Sequence, residues 1–217
     1  GGQQHDGYGY GIQLRAPGAS SNNAVIRSTR TYNNTLACGM VQVTGGGHLV
    51  YNNVMYGNGC GILLYGASQK IYNNTIVNND DGGVVINSGN SSSVEIKNNI
   101  LYQNGSRAIA DETGGTPIQS NNLTSDPQFV SSSDFHLQST SPAIDKGITL
   151  PEVPCDFDGN KRPAGSAYDI GAYEYGSSPG GKCGGSGGGS ITPSPSPSGL
   201  SFTASPSSIT SSGTSQL

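Results

Sequence analysis

Between Val50 and Ala110 the chain repeats one arrangement of apolar and polar positions. A short apolar run leads into a pair of asparagines at Asn52-Asn53, Asn73-Asn74 and Asn98-Asn99. Roughly ten residues after each pair comes a β-rich run: Gly61-Ile62-Leu63-Leu64-Tyr65, Gly83-Val84-Val85-Ile86 and Arg107-Ala108-Ile109-Ala110. The pairs are 21 and 25 residues apart, which is the length of one solenoid turn and too short for a helical-hairpin repeat. No segment carries an apolar period of 3.6 residues, so strands and turns must build the fold. The pattern predicts an all-β chain wound as a right-handed parallel β-helix. The rhythm starts early, since Gly11-Ile12-Gln13-Leu14 alternates as a half-buried strand does. Val25-Ile26 opens the next coil, with Ser28-Thr29 in place of the asparagine pair, and Val41-Gln42-Val43 is its second strand. Coils are expected over residues 1–125.

In such a solenoid each strand pairs with its equivalent one coil away at about 4.8 Å, and alternate side chains enter a narrow core. Ile12, Leu14, Val41, Val43, Ile62, Leu64, Val84 and Ile86 are the expected inward positions. The asparagines fall where the chain bends. A stacked asparagine donates to the coil on one side and accepts from the coil on the other, satisfying backbone groups that a bend would leave unpaired. Asn52, Asn73, Asn98 and Asn121 are read as one ladder, and Asn34, Asn58, Asn79 and Asn104 as a second. Cys38 and Cys60 are 22 residues apart, one coil, and stack either as a disulfide or as two buried thiols.

Composition narrows the function classes. There are 34 glycines and 12 prolines in 217 residues, no tryptophan, and only 11% of residues are charged. The formal charge of −4 comes without basic clusters, so nucleic acid is not an expected partner. No run of about 18 apolar residues exists, so no membrane span is expected. A polar, weakly charged surface suits a polysaccharide or another protein. Four cysteines with no C-x-x-C pattern favour disulfides and an oxidising compartment.

After a last degenerate coil from Ile118 to Thr124 the pattern changes. The runs Asp126-Pro127-Gln128-Phe129, Phe135-His136-Leu137-Gln138, Ser141-Pro142-Ala143-Ile144-Asp145-Lys146-Gly147, Asp156-Phe157-Asp158-Gly159-Asn160-Lys161-Arg162-Pro163 and Asp169-Ile170-Gly171-Ala172-Tyr173-Glu174 resemble a known closing signature. It is that of secreted bacterial parallel β-helix proteins of the pectate-lyase-like superfamily, whose solenoid is often followed by a surface anchor. The resemblance implies a C-terminal cap over residues 126–176 and an extracellular or cell-surface location. It does not imply an enzyme, since most of that family has no assigned activity. In such a cap Phe129, Phe135, Leu137, Ile144, Ile170 and Tyr173 would close the open end of the solenoid. Cys155 would be pinned there by Cys183. Residues 177–199 collapse to Gly, Ser and Pro and read as a linker. Residues 200–217 regain alternation at Leu200-Ser201-Phe202-Thr203-Ala204 and resemble the first strand of the Ig-like modules of bacterial surface proteins.

Candidate chemistry is sparse. Glycoside hydrolysis needs two carboxylates about 5 to 10 Å apart. Asp80-Asp81, with Arg107 on the next coil, is the best local candidate; its structural reading is a solvated corner where Arg107 pairs with one aspartate. The Gly-His-Gly and Arg-x-Lys runs of polygalacturonases are missing, and His48 lies upstream of the aspartates. No column of carboxylates is present for calcium-dependent lyase chemistry. Asp156, Asp158 and Asn160 alternate like the start of a calcium loop, yet Lys161 and Ala167 stand where Gly and Glu are required. A turn in which Arg162 bridges to an aspartate is the competing reading, so no cofactor is expected and calcium is the one ion considered. His5 and His136 have no partners at ligand spacing. Asn33, Asn73, Asn90, Asn104 and Asn122 head Asn-x-Ser/Thr sequons; Asn73 is discounted as a ladder residue, and the other four are candidate glycosylation acceptors.

Taken together, the residues predict a non-catalytic extracellular structural or adhesive module. Its expected partners are copies of itself, stacked head to tail as a filament, or other surface proteins. The alternative is a carbohydrate-active enzyme or sugar-binding module using the outer face of the Gly61 to Ile86 strands.

Overall fold

The computed structural model describes residues 11–14, 23–44, 46–89, 91–105, 107–177 and 181–183. Its strands, in chain order, are β1 (Ile12–Leu14), β2 (Val25–Arg27), β3 (Arg30–Tyr32), β4 (Cys38–Thr44), β5 (Leu49–Tyr51), β6 (Val54–Tyr56) and β7 (Cys60–Tyr65). They continue as β8 (Lys70–Tyr72), β9 (Thr75–Val77), β10 (Gly82–Ser88), β11 (Glu95–Lys97), β12 (Ile100–Tyr102), β13 (Arg107–Asp111) and β14 (Ile118–Ser120). Every strand pairs in parallel with its equivalent one coil away, giving three sheets ordered β1-β4-β7-β10-β13, β2-β5-β8-β11-β14 and β3-β6-β9-β12. The chain is thus an all-β parallel solenoid of about four turns, with no α-helix among the described residues.

The core is a set of aliphatic columns. Met40, Ile62, Leu64, Val84 and Ile86 of the first sheet meet Ile26, Val50, Ile71 and Ile96 of the second and Met55, Ile76 and Leu101 of the third. Ile12 is half-buried against them, while the side chains of Leu14, Val41 and Val43 lie outside the described residues. Where the third sheet turns into the first, only glycine fits. A Cβ on Gly61 would stand 2.3 Å from the Gly83 carbonyl oxygen and 2.3 Å from Ile76 Cγ2.

The ladder is displaced by one residue from the expected positions. Asn52, Asn73, Asn98 and Asn121 share one rung, from Asn98 Nδ2 to Asn73 Oδ1 at 3.3 Å, and otherwise do not stack: each holds a positive φ of 48 to 56° at the corner between the second and third sheets. Asparagine tolerates this left-handed conformation better than most residues, and there it turns the side chain away from the core. The following residue is the one that stacks. Asn53 donates from its backbone N–H and Nδ2 to Asn74 Oδ1, Asn74 to Asn99 Oδ1 and Asn99 to Asn122 Oδ1, all at 2.9 to 3.0 Å. A second Nδ2 hydrogen reaches the coil on the other side, as from Asn74 to the Val50 carbonyl at 2.9 Å. Thr29 begins the column by donating to Asn53 Oδ1. The second ladder stands as predicted, running from Asn34 through Asn58 and Asn79 to Asn104.

Residues 126–177 do not sit on the end of the solenoid. They run back along its flank. Phe135, Leu137, Ala143, Ile170, Ala172 and Tyr173 pack on the outward side chains of Val54, Val77 and Ile100. Leu150, Val153 and Tyr168 pack around Tyr72. The reason is that β6, β9 and β12 are apolar on both faces, so their outer surface needs a cover as much as their inner one. The corner asparagines fasten this cover. Asn52 donates to the Cys155 carbonyl, Asn73 to Asp169 and Gly171, Asn98 to Ile148 and Asn121 to Lys146. Disulfides join Cys38 to Cys60 across one coil and Cys155 to Cys183 within the cover. The predicted Ig-like strand over 200–217 lies outside the described residues, as do 184–199 of the linker.

Candidate functional site

Asp80 and Asp81 are exposed at the bend before β10, where their backbone N–H groups donate to the Asn58 and Gly59 carbonyls of the preceding coil. Neither carboxylate has a partner among the described residues. Arg107 does not pair with them: its Nη2 lies 2.5 Å from Glu112 Oε1, with both side chains about half exposed at 54% and 45%. The three residues therefore do not converge into an acid–base site.

The calcium-loop candidates are also committed elsewhere. Asp156 is buried, and its oxygens accept from Asn160 N–H, Asn160 Nδ2 and Glu174 N–H at 2.7, 2.9 and 3.1 Å. Asp158 points instead to His136. Three N–H donors hold the Asp156 carboxylate in a tight turn, and among the described residues no group of three or more His, Cys, Asp or Glu side chains could hold a metal ion. Arg162 does bridge to an acid, but the acid is Glu174 rather than an aspartate, because residues 162 and 174 are brought together under the cover.

Two of the sequons are occupied by the ladders. Asn104 Oδ1 accepts from Asn79 and its Nδ2 donates to the Ile76 carbonyl; Asn122 is bound likewise to Asn99 and Ile96. Glycosylating either would break a column. Asn33 is exposed at a left-handed turn, and Asn90 lies outside the described residues, as does His5. His48, discounted for its order in the chain, is buried and accepts the Ala24 N–H through Nδ1 at 3.1 Å, one coil away.

One cluster of ionisable groups at the surface is not revealed by spacing along the chain. His136 is clamped between two carboxylates, with Nδ1 2.5 Å from Asp134 Oδ1 and Nε2 2.8 Å from Asp158 Oδ2. Its ring lies 4.1 Å from that of Tyr173, whose hydroxyl meets Arg30 Nη2 at 2.6 Å. Arg30 also stands over the Phe157 ring. Burial works against charging His136, but the hydrogen bonds to Asp158 and Asp134 prevail and raise its pKa. The hydrogen bond from His136 holds the Asp134 carboxyl below its ordinary value. An imidazolium with both N–H groups engaged has no ring nitrogen left to act as a base. The cluster is a clamp that ties β3, residues 134–136 and residues 157–158 together.

Beneath it lies a buried hub. Arg162 donates to Glu174, to the Asp169 and Gly171 carbonyls and to Asn52 Oδ1, so one cation joins the cover to the solenoid corner. Burial pushes the neighbouring Asp169 carboxyl up to about 6. A cleft of about 290 Å³ opens beside the hub, between Arg27, Ser28 and Tyr51 of the solenoid and Pro154, Phe157 and Cys183 of the cover. Arg27 is exposed and has no ionic partner among the described residues.

The crystal structure of pectate lyase Pel9A is similar to this chain at 16% identity and a TM-score of 0.38, over 75% of this chain and 63% of that one. The chain thus spans less than two thirds of that structure, and a likeness of this size carries no argument. No curated protein matches the sequence. The family described as right-handed β-helix region matches residues 5–124, a stretch that includes the strands and ladders above. The chain belongs to the right-handed β-helix family.

Proposed function

We propose that this chain is a non-catalytic structural or adhesive module of the extracellular space or cell surface. The observation that carries the reading is where Cys183, the last described residue, sits. Because the cover runs back along the flank, Cys183 lines the same cleft as Arg27 and Ser28 of the first complete coil, at the opposite end of the solenoid from β13 and β14. A module tethered through the residues that follow Cys183 presents its last coil outward. Two disulfides suit an oxidising compartment. The candidate acids also stand in separate places, each bound into a turn or facing water. Cysteine labelling of the protein tethered by its C-terminal residues tests the reading, using Glu112→Cys and Arg27→Cys with a bulky maleimide. Position 112 should react faster; equal or reversed rates overturn the presentation.

A second reading, a sugar-binding or carbohydrate-active module, is favoured by the cleft, which brings the Tyr51 and Phe157 rings beside the exposed Arg27. Incubation with a polysaccharide panel, scored for new reducing ends and for absorbance of unsaturated sugars, separates the two. The structural reading expects neither signal. Turnover seen in either assay would establish the alternative instead.

A further inference from the structure

The last strand of the first sheet, β13, is paired on one side only. Among the described residues no further coil follows, since after Leu123 the chain leaves the solenoid to form the flank cover. Alternate backbone N–H and C=O groups of such an edge strand face outward, ready to pair with another chain. Proteins commonly blunt an edge with charge, and β13 carries Arg107 at its start and Asp111 at its end. The order of these charges matters. Read as Arg107-Ala108-Ile109-Ala110-Asp111, the strand is its own antiparallel complement.

We propose that the C-terminal end of the solenoid is a self-recognition surface, on which two copies pair tail to tail through antiparallel β13 strands about a two-fold axis at Ile109. In that register Ile109 faces Ile109 of the second copy, each alanine faces an alanine, and each Arg107 faces an Asp111. The interface is isologous, so every favourable contact occurs twice. Parallel pairing of the same strands would set arginine against arginine and aspartate against aspartate, which costs rather than gains.

Asp111 Oδ1 already accepts from Thr113 N–H and Thr113 Oγ1, while its buried Oδ2 has no partner among the described residues and is the oxygen left for the facing Arg107. Ile109 pairs with Val84, which in turn pairs with Ile62, so it continues an inward column, yet it is only half-buried because no coil follows it. A second Ile109 would extend that column. Ile118 of β14, 49% exposed on the same coil, lies at the margin of the contact. Arg107 is held by Glu112 through an exposed ion pair, which is weak enough to be shared or exchanged. The inference goes beyond the proposed function, because an enzyme or a binding module could dimerise in this way as well. It differs from the head-to-tail filament in closing after two copies.

The test is sedimentation velocity of the full chain across a concentration series in moderate salt. The wild type should show a species of doubled mass. Arg107→Asp places two acidic pairs across the axis and should weaken that species at least about tenfold. Asp111→Arg should do the same with basic pairs, and the double variant carrying both changes should restore the dimer. Glu112→Gln, which removes only the pair within the chain, should leave it intact. Thermal melts of each variant separate lost pairing from lost folding. A monomer at every concentration overturns the proposal, as does a dimer indifferent to Arg107→Asp. A folded double variant that fails to regain the dimer also overturns it. Longer assemblies in place of a closed dimer would favour head-to-tail stacking and overturn the two-fold. None of these results bears on catalysis.

Discussion

Arg162 Nη1 lies 2.5 Å from Glu174 Oε1, and both side chains are wholly shut off from solvent. A pair this deep is retained only if its remaining hydrogen bonds are also satisfied, and Arg162 meets that condition through backbone carbonyls and Asn52. Arg162→Ala would leave Glu174 as an uncompensated buried charge, with an expected loss of about 3 to 5 kcal/mol. Replacing both, as Arg162→Met with Glu174→Leu, should cost less than the single change. Urea unfolding of the three proteins measures the difference.

The His136 clamp makes stability fall at mildly alkaline pH. Its folded pKa is raised above the ordinary 6.5, so its contribution is complete below that value and is lost as pH rises through the folded pKa. The Asp134 carboxyl shifts downward, so its contribution is present above the ordinary carboxylate range and does not change in this window. The clamp is partly exposed and should be worth under about 1 kcal/mol. Melting temperatures from pH 6 to 9 should decline more steeply for the wild type than for His136→Gln.

Asp169 gives a second pH dependence of the same sign at lower pH. Burial raises its carboxyl from 3.8 to about 6, so the folded state is favoured while the group is protonated and loses that advantage as pH rises through 6. Asp169→Asn should flatten unfolding free energy against pH between 4 and 7. The variant should also be less stable throughout, because the carboxylate oxygens accept the Asp145 and Tyr175 N–H groups and an amide can keep only one of these acceptors.

The two disulfides restrain different things. Closing loops of 22 and 28 residues constrains the unfolded chain by about 3 kcal/mol each in the chain-entropy picture. Cys38→Ser with Cys60→Ser should lower the melting temperature of the whole solenoid. Cys155→Ser with Cys183→Ser should chiefly make the cover susceptible to protease near residues 181–183. Limited proteolysis with mass spectrometry distinguishes the two outcomes.

Much of the fold was legible because a solenoid writes its period into the chain. Ile62, Leu64, Val84 and Ile86 occupy the core as their alternation requires, and the column from Asn34 to Asn104 stacks as its spacing suggests. Which member of each asparagine pair turns inward was not legible. That depends on which residue takes the positive φ, and neighbouring asparagines accept it equally well. The closing signature predicts an end cap where the chain forms a flank cover, although Val54, Val77 and Ile100 beside inward Met55, Ile76 and Leu101 mark strands buried on both faces. The His136 clamp and the Arg162 hub had no local signal. Their partners come together only when residues 126–177 fold back along the solenoid.

The most direct test concerns the division of labour within the asparagine pairs, since it makes the cover an integral layer of the solenoid. Hydrogen–deuterium exchange should be compared for the wild type, Asn74→Ala, and the triple variant Asn52→Ala, Asn73→Ala, Asn98→Ala. The triple variant is predicted to lose protection in residues 143–175 while β5, β8 and β11 stay protected. Asn74→Ala is predicted to expose the coils on either side of it, because it removes both acceptor and donor from the column. Unchanged protection of residues 143–175 in the triple variant, or the same exchange pattern in both proteins, would contradict the assignment.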